Sequence, residues 1–360
     1  MPDPVMKVVF SASERSYGDS PRAIETELLN RGAGFRRQWI LPEDAWAPDG
    51  VERFLPGSEE ARGALEEADF IVSNTYLLQR FEKKPGATYL QTWHGTPLKR
   101  IGHNIKIPRH VLEFEVTSRD DAARWDWLVA PNAFTVPILE EEFAGIPLLE
   151  TGYPRNDILL SPRAGEIRER VRAELGLAPN DRAALYAPTF RDDDLSIRFG
   201  LDPDRLEPML DPGVVVLARS HLLTPASGPE GERNCWRDVT GWPDIAELYL
   251  AADALITDYS SAMFDFAVTR KPLLFYTYDL EHYRDESRGF YFDFENEAPG
   301  PLLRTPGEVA DALNRVDAMA GDFVAEYEAF TGRFCHWDDG AASRRVVDQV
   351  FEEALSPGTV

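Results

Sequence analysis

Short runs of apolar residues alternate, along most of the chain, with longer segments whose apolar residues recur every three or four positions. The short runs predict buried strands, and the three-to-four-residue spacing predicts amphipathic helices. The first strand is predicted at residues 8–11, and a helix follows it with Pro21 in its first turn and Gly32 at its end. Strand and helix signals that alternate in this way are typical of a parallel sheet with crossover helices.

The alternation occurs in two successive series. Strands are predicted at residues 38–41, 70–73, 89–92, 127–130 and 148–151 in the first series, and at 184–187, 214–218, 254–257 and 273–276 in the second. The turn-rich residues 152–157 (GYPRND) separate the two series. We therefore predict an α/β protein with two doubly wound Rossmann-like domains, residues 1–152 and 153–340, and a C-terminal helix within 341–360. Because such domains bind ligands at the carboxyl ends of their strands, we expect the domains to face a central cleft that holds the substrate.

Composition narrows the classes of function. The net charge of −24 argues against binding to nucleic acid and against broad adhesion to anionic membranes. No apolar run approaches the roughly 18 residues that a membrane-spanning helix needs, and the first residues do not form a secretory signal. Cys235 and Cys335 lie far apart and form no metal or redox motif. These features predict a cytoplasmic protein.

The candidate for chemistry in the first half is His94, which follows the predicted strand 89–92. Gly95 lets the backbone turn there, and Pro97 suits the first turn of a following helix. A histidine at the carboxyl end of a strand is placed where open α/β sheets carry out chemistry, and its neutral form can accept a proton. The local sequence also allows a structural histidine that is satisfied in a tight turn.

In the second half, three predicted strands end in polar segments, at residues 186–191 (YAPTFR), 219–221 (RSH) and 257–261 (TDYSS). The hydroxyls of Ser260 and Ser261, at a predicted helix start, suit an anion, although they equally suit a helix N-cap. Arg191, Arg219 and His221 each follow a buried strand, so we expect them to converge on a diphosphate near the two serines.

Six segments, taken in order, carry a resemblance to a known family. They are residues 91–99 (QTWHGTPLK), 152–157 (GYPRND), 186–191 (YAPTFR), 219–221 (RSH), 257–261 (TDYSS) and 288–291 (RGFY). Together they resemble the CDP-glycerol glycerophosphotransferases, the TagB/TagF-type enzymes of teichoic-acid and related capsule polymer synthesis. The resemblance implies a GT-B architecture in which the C-terminal domain holds most of a CDP-alditol donor. It also implies that His94 is catalytic and that His221, Ser260 and Ser261 contact the donor pyrophosphate.

We accordingly predict a transferase that moves glycerol phosphate from CDP-glycerol to an acceptor hydroxyl and releases CMP. The predicted donor-binding residues are Arg191, Arg219, His221, Thr257, Asp258, Ser260, Ser261 and Arg288. The residues assigned to the acceptor side of the cleft are Gly95, Thr96, Lys99, Arg100, Asp19 and Arg155. Because cationic donors can stabilise the diphosphate, we expect no cofactor and no tightly bound metal, although the acidic residues 192–194 suit a metal site.

Several alternatives stay open from the sequence. The donor is CDP-glycerol or CDP-ribitol, and the acceptor is a lipid-linked saccharide or a poly(alditol phosphate) chain. A GT-B glycosyltransferase that uses a nucleotide sugar would have the same fold. A non-catalytic nucleotide-binding module is the alternative from another class, but such a module would be expected to lack His94 or the serine pair. We expect a cytoplasmic enzyme, and peripheral contact with the inner face of the membrane is left open.

Overall fold

The computed structural model describes residues 5–13, 16–105, 119–189, 200–220, 235–287 and 289–355, with the backbone alone described for His103 and Ser287. The chain divides into two compact units. One unit contains the segments Met1–His94, Pro108–Ile158 and His336–Val360, and the other contains Gly95–Ile107 and Leu159–Cys335. Each unit is built on one parallel sheet, which confirms the predicted pair of doubly wound α/β domains.

The sheet of the first unit has the order β3-β2-β1-β4-β5-β6-β7, and every described pair of neighbouring strands is parallel. Its strands are β1 (Met6–Ser11), β2 (Phe35–Ile40), β3 (Glu52–Phe54), β4 (Phe70–Ser73), β5 (Thr88–Gln91), β6 (Trp127–Ala130) and β7 (Leu148–Glu150). Its helices include α1 (Asp19–Asn30), α2 (Glu59–Glu67) and α3 (Val136–Glu142). The strand order reverses direction between β1 and β4, which makes their carboxyl ends the expected place for a ligand.

The sheet of the second unit has the order β10-β9-β8-β11-β12-β13 and is also parallel. Its strands are β8 (Arg182–Tyr186), β9 (Val214–Ala218), β10 (Trp236–Asp238), β11 (Ala254–Thr257), β12 (Leu273–Tyr276) and β13 (Leu302–Leu303). The order reverses between β8 and β11, so this pair occupies the position that β1 and β4 occupy in the first unit.

The helices of the second unit include those that lie between its strands in the chain, as crossover connections in a parallel sheet require. They include α4 (Ala164–Glu174), α5 (Pro203–Leu206), α6 (Ile245–Ala251), α7 (Ala262–Ala267), α8 (Leu280–His282), α9 (Phe294–Glu297), α10 (Pro306–Asn314), α11 (Val316–Gly321) and α12 (Val324–Phe334). The start of α10 shows the local logic, because Thr305 and Glu308 form a reciprocal capping box around Pro306. Within the described ranges, no helix is both long enough and apolar enough to span a bilayer.

The unit boundaries differ from the expected domains because the chain returns to the first unit at its end. The helices α13 (Ala342–Val350) and α14 (Glu352–Leu355) pack there, and Phe351 stacks on Phe70 at a ring-centroid distance of 4.3 Å. The predicted tail helix is thus confirmed within 341–355, with an interruption at Phe351.

Residues 152–157 hold this returning segment in place. Gly152 has a φ of +78°, and a Cβ at this position would lie 2.8 Å from the carbonyl oxygen of Trp337. Asn156 donates to Asp338 at 3.1 Å. The carboxylate of Asp157 accepts from the first backbone N–H groups of α13, those of Ala342 and Ser343, at 2.9 and 2.8 Å. Gly152 thus has the positive φ of a turn residue. Residues 153–158, which were expected in the second domain, belong to the first unit and contact its C-terminal segment.

Candidate active site

The strand β5 positions His94 through an unusual backbone turn. Its last residue, Gln91, is buried and accepts a hydrogen bond from the backbone N–H of Trp93 at 2.9 Å. Trp93 has a φ of +58°, which is the left-handed region that a bulky side chain rarely adopts. The indole is buried and packs edge-on against Tyr76 and Phe143. The buried indole and the Gln91 bond hold this turn, which directs the next side chain, His94, outward.

The imidazole of His94 is exposed but has a fixed orientation. Its Nδ1 lies 2.9 Å from the backbone carbonyl oxygen of Asn74, the residue that follows β4. Because a carbonyl oxygen can only accept, Nδ1 carries the proton in the neutral ring, and the lone pair resides on Nε2. The ring also lies against the indole of Trp93, with centroids 4.5 Å apart. A histidine held in this tautomer is suited to accept a proton at Nε2.

Asp19 and Arg155, which were assigned to the acceptor side, form an ion pair beside His94. The Nη1 atom of Arg155 donates to Asp19 Oδ2 at 2.9 Å and to the backbone carbonyl oxygen of His94 at 3.1 Å. Both side chains are mostly buried, at 11% exposed for Arg155 and 18% for Asp19. Burial raises the pKa of Asp19, but the charge of Arg155 and hydrogen bonds from Ser20 and Arg155 outweigh it and keep that pKa below its usual value.

The residues that directly follow His94 belong to the second unit and contact other segments of that unit. Gly95 lies so close to Ser261 that a Cβ would be 2.5 Å from its Oγ and 2.7 Å from its Cβ, so this position requires glycine. The backbones of Lys99 and Arg100 pair with the 289–291 segment, through a bridge to Phe290 and an N–H···O bond of 3.2 Å to Gly289. The Arg100 guanidinium lies over the ring of Tyr291 at 5.4 Å. Thr96 is buried. The motifs at 91–99 and 288–291 are therefore in contact through their ends.

Ser260 and Ser261 follow β11 at the point where the strand order of the second unit reverses. Ser260 Oγ accepts from the backbone N–H of Ala262 at 3.3 Å, and both serines are partly exposed. The N-cap residue of α7 is Ser261, whose side chain makes no capping hydrogen bond, so the contact of Ser260 lies one residue before the cap. A hydroxyl that accepts one bond still carries a proton that it can donate to a phosphate oxygen, so the two functions are compatible.

Two residues beside these serines that were predicted to bind the donor substrate hydrogen-bond to the protein backbone. Thr257 is buried, and its hydroxyl donates to the carbonyl oxygen of Ala187 at 2.8 Å. Asp258 is also buried, and its Oδ1 accepts from the backbone N–H groups of Thr189 at 2.8 Å and of Tyr259 at 2.6 Å. Both residues therefore join the loop after β8 to the loop after β11.

Of the four cationic residues predicted to bind the donor, one lies within the described part of the chain and three lie outside it. Arg219 is buried after β9, and its Nη1 donates to the carbonyl oxygen of Trp242 at 2.6 Å. Arg191, His221 and Arg288 lie outside the described residues, as do the acidic residues 192–194. Within the described segments, no group of three or more His, Cys, Asp and Glu side chains is arranged to hold a metal ion. Metal independence stays a prediction.

Sequence reasoning missed Asn74, whose carbonyl fixes the His94 tautomer. Its side chain is buried and exchanges hydrogen bonds with Ser13, accepting from the Ser13 backbone N–H at 2.5 Å and donating to the Ser13 Oγ at 3.1 Å. The signal was present, because the polar residues 74 and 75 directly follow the strand β4 where the strand order reverses.

Residues 4–352 match the family model described as CDP-Glycerol:Poly(glycerophosphate) glycerophosphotransferase. A teichoic acid glycerol-phosphate transferase of Staphylococcus aureus (strain NCTC 8325 / PS 47) is 38% identical over 94% of this chain and 90% of its own length. A teichoic acid poly(glycerol phosphate) polymerase of Bacillus subtilis (strain 168) is 34% identical over 98% of this chain but only 49% of its own length. This chain thus spans about half of that polymerase.

Among solved structures, the wall teichoic acid polymerase TagF, in a variant soaked with CDPG, superimposes with a TM-score of 0.88. The sequences are 33% identical, and the match covers 98% of this chain and 90% of the TagF chain in that structure. This likeness confirms the predicted GT-B type of fold. The family match over nearly the whole chain confirms the resemblance read from the six motifs. The chain belongs to the CDP-glycerol:poly(glycerophosphate) glycerophosphotransferase family.

Proposed function

We propose that this enzyme transfers glycerol phosphate from CDP-glycerol to an acceptor hydroxyl, with His94 as the general base. The observation that carries the proposal is the hydrogen bond from His94 Nδ1 to the carbonyl oxygen of Asn74, 2.9 Å long. It keeps the proton on Nδ1, so Nε2 is the atom of this exposed side chain that accepts the proton of the acceptor hydroxyl. Family membership supports the phosphotransferase over a nucleotide-sugar glycosyltransferase or a non-catalytic module.

The reaction is a single displacement at the β-phosphorus of the donor. The acceptor oxygen forms a bond to this phosphorus as its proton passes to His94 Nε2. The bond from the same phosphorus to the bridging oxygen breaks, and CMP leaves with the electron pair. Charge develops on the diphosphate oxygens, and hydroxyl and cationic donors stabilise it best when they are already in place. We assign this role to Ser260 and Ser261, together with the family-motif residues Arg191 and His221.

Glycerol is the favoured alditol because the most similar relatives carry glycerol-phosphate names, whereas the ribitol-phosphate polymerases are more distant. By analogy with those names, the proposed acceptor is a lipid-linked saccharide or a growing poly(glycerol phosphate) chain. An acceptor on a lipid would bring the enzyme to the inner face of the membrane as a peripheral protein. Arg155 is not assigned to acceptor binding, because Asp19 neutralises its charge.

The test is a comparison of donors with one acceptor. The purified chain is incubated with a lipid-linked saccharide primer or a short poly(glycerol phosphate), together with CDP-glycerol or CDP-ribitol, and CMP is quantified. We expect acceptor-dependent CMP release that is at least tenfold faster with CDP-glycerol. Equal or faster release from CDP-ribitol would contradict the donor assignment. Parallel reactions with EDTA test metal independence, and a loss of turnover that magnesium restores would contradict it.

A further inference from the structure

We infer that Asp19 and Arg155 are positioning residues that hold His94 in its base-competent tautomer. This inference rests on the proposed role of His94. It starts from two strained residues, because Asp19 and Trp93 are two of the three non-glycine residues with positive φ in the described part of the chain. Left-handed backbone at such residues persists only where the surroundings over-determine it, and such residues cluster at functional sites.

Arg155 joins Asp19 to the residue that follows Trp93. One guanidinium nitrogen, Nη1, donates both to the carboxylate of Asp19 and to the backbone carbonyl of His94, the residue after Trp93. The rest of the guanidinium lies over the ring of Tyr153, with its carbon 4.5 Å from the centroid. A planar, stacked guanidinium holds a fixed direction in a way that a lysine ammonium does not. Arg155 therefore restrains the backbone on the C-terminal side of the strained turn.

The contacts form a chain of four residues: Asp19, Arg155, His94 and Asn74. Arg155 bridges Asp19 to the His94 carbonyl, and the His94 imidazole donates to the Asn74 carbonyl. The Asn74 side chain is held separately, by two hydrogen bonds with Ser13. Thus the carboxylate of Asp19 fixes, through Arg155, the backbone of the residue whose imidazole meets the Asn74 carbonyl.

Both members of the pair are held by further contacts. Asp19 Oδ1 accepts from the backbone N–H of Ser20 at 2.6 Å, at the start of α1. Arg155 belongs to the GYPRND segment, in which Gly152, Asn156 and Asp157 contact the C-terminal segment of the first unit. The ion pair is therefore anchored on two separate elements, which is what a precise base requires, since a displacement of about 1 Å can cost roughly 100-fold in rate.

The test uses Asp19→Asn, Arg155→Met and the conservative Arg155→Lys, with Arg36→Gln as a matched control. Arg36 also pairs with a carboxylate of the first unit, Glu52 at 2.7 Å, but this pair is about half exposed and far along the sheet from β5. With CDP-glycerol and acceptor, we expect kcat to fall roughly 10- to 100-fold in the three test variants while the KM for CDP-glycerol changes less than about threefold. Arg36→Gln should retain the kcat of the parent enzyme.

A spectroscopic readout tests the positioning without turnover. In protein labelled with ¹⁵N-histidine, the imidazole nitrogen shifts of His94, assigned by comparison with His94→Gln, should report a proton on Nδ1. Asp19→Asn and Arg155→Met should convert this signal to a mixture of the two tautomers. If Arg155→Met does not fold, as judged by its thermal midpoint, Asp19→Asn decides, because it preserves the size of the side chain.

The inference is overturned if Asp19→Asn and Arg155→Lys keep both the parent kcat and the pure Nδ1–H tautomer. The outcome for the proposed function is separate. If His94→Ala keeps its turnover, the general-base role fails whatever the tautomer is. If His94→Ala is inactive but the Asp19 and Arg155 variants behave as the parent, only the positioning inference fails.

Discussion

The two units share the order of six strands, to which the first unit adds a seventh, but they use the carboxyl edges of their sheets differently. In the first, the edge carries an ion pair, Asp19–Arg155, and a backbone carbonyl that together hold one titratable side chain, His94. In the second, the buried Asp258 bonds to backbone N–H groups, and two serines follow it. The same architecture therefore fixes a single imidazole in one unit and a hydroxyl-bearing loop in the other.

The difference shows that polar groups serve the two parts of the proposed reaction, proton transfer and donor binding, in different ways. A general base needs one well-oriented side chain, so the polar groups around it act on its direction and its tautomer. A diphosphate needs several hydrogen-bond donors in fixed places. Polar side chains of the second unit accordingly hold the backbone loops in which such donors lie. The account thus predicts that changes in the first unit alter turnover, and that changes in the second alter donor affinity.

The largest effect is expected for His94→Ala. Turnover should fall roughly 10²–10⁴-fold, which is the usual contribution of a general base, while the calorimetric affinity for CDP stays within about threefold. His94→Gln should be equally impaired, because an amide can hydrogen-bond but cannot take the proton. A purely structural His94 would instead lower the thermal midpoint and the activity together. The midpoint, the CDP affinity and CMP release are therefore measured on the same preparation.

The next effect is expected in the second unit, from Ser260→Ala combined with Ser261→Ala. Each lost hydrogen bond to a charged phosphate is worth about 1.5–3 kcal/mol, so the dissociation constant for CDP should rise at least tenfold. Ser58→Ala is the control, because Ser58 caps α2 by accepting from Ala61 at 3.1 Å. It should lower stability and leave CDP affinity unchanged. Unchanged CDP affinity in the double variant would remove the serines from the donor site.

Gly95→Ala sharpens the comparison, since Gly95 packs on the serine loop. The new methyl would overlap Ser261 Oγ, so we expect Ser261 to be displaced and donor affinity and turnover to fall roughly tenfold. Gly63→Ala is the matched control, because it lies within α2 with no atom within 4 Å of the added Cβ. The control should be as active as the parent and slightly more stable. Normal CDP binding by Gly95→Ala would show that the Ser261 position does not matter for the donor.

The smallest effect on activity is expected at Lys271, which stabilises the second unit away from the site. Its Nζ donates to the carbonyl oxygens of Tyr249, Leu250 and Ala252 at 2.9, 2.9 and 2.6 Å, at the end of α6. Desolvation by burial, with the charge of Arg168, lowers the pKa of Lys271 to about 8.

The sign of the resulting pH dependence follows from linkage. Because the pKa is about 8 in the folded state and near 10.4 in the unfolded state, the folded chain binds fewer protons between these values. The free energy of unfolding should therefore gain a contribution on the order of 1–3 kcal/mol from Lys271 as the pH rises from 8 to 10.5. Denaturant titrations of the parent and of Lys271→Met at both pH values measure it. An equal pH dependence in the two proteins would contradict the assignment to Lys271.

Much of the fold was predictable from the sequence, and the strands that were missed share a physical reason. The central strands, such as β9 and β11, are buried along their whole length and read as continuous apolar runs. The missed strands β3, β10 and β13 have two or three residues, lie at sheet edges and are only partly buried. Two or three residues are too few to form a periodic pattern, so periodicity gives no signal.

The site was predictable to a more limited depth. The chemical type of His94, Ser260 and Ser261 and their positions after strands identified them as candidates. By contrast, the sequence did not show that the side chains of Thr257 and Asp258 hydrogen-bond to backbone groups. Their role in donor binding stays a prediction. The tautomer of His94 depends on a backbone carbonyl, that of Asn74, which has no side-chain signature. Contacts that depend on the backbone path appear only when the fold is known.

The central claim is that the neutral His94 imidazole accepts the proton of the acceptor hydroxyl. The most direct measurement compares two titrations: the dependence of kcat on pH, and the dependence of the ¹⁵N shifts of His94 on pH in the enzyme saturated with CDP-glycerol. The account predicts that kcat falls on the acid side with the same apparent pKa that the His94 shifts report. A kcat that stays constant while His94 becomes protonated would contradict the account.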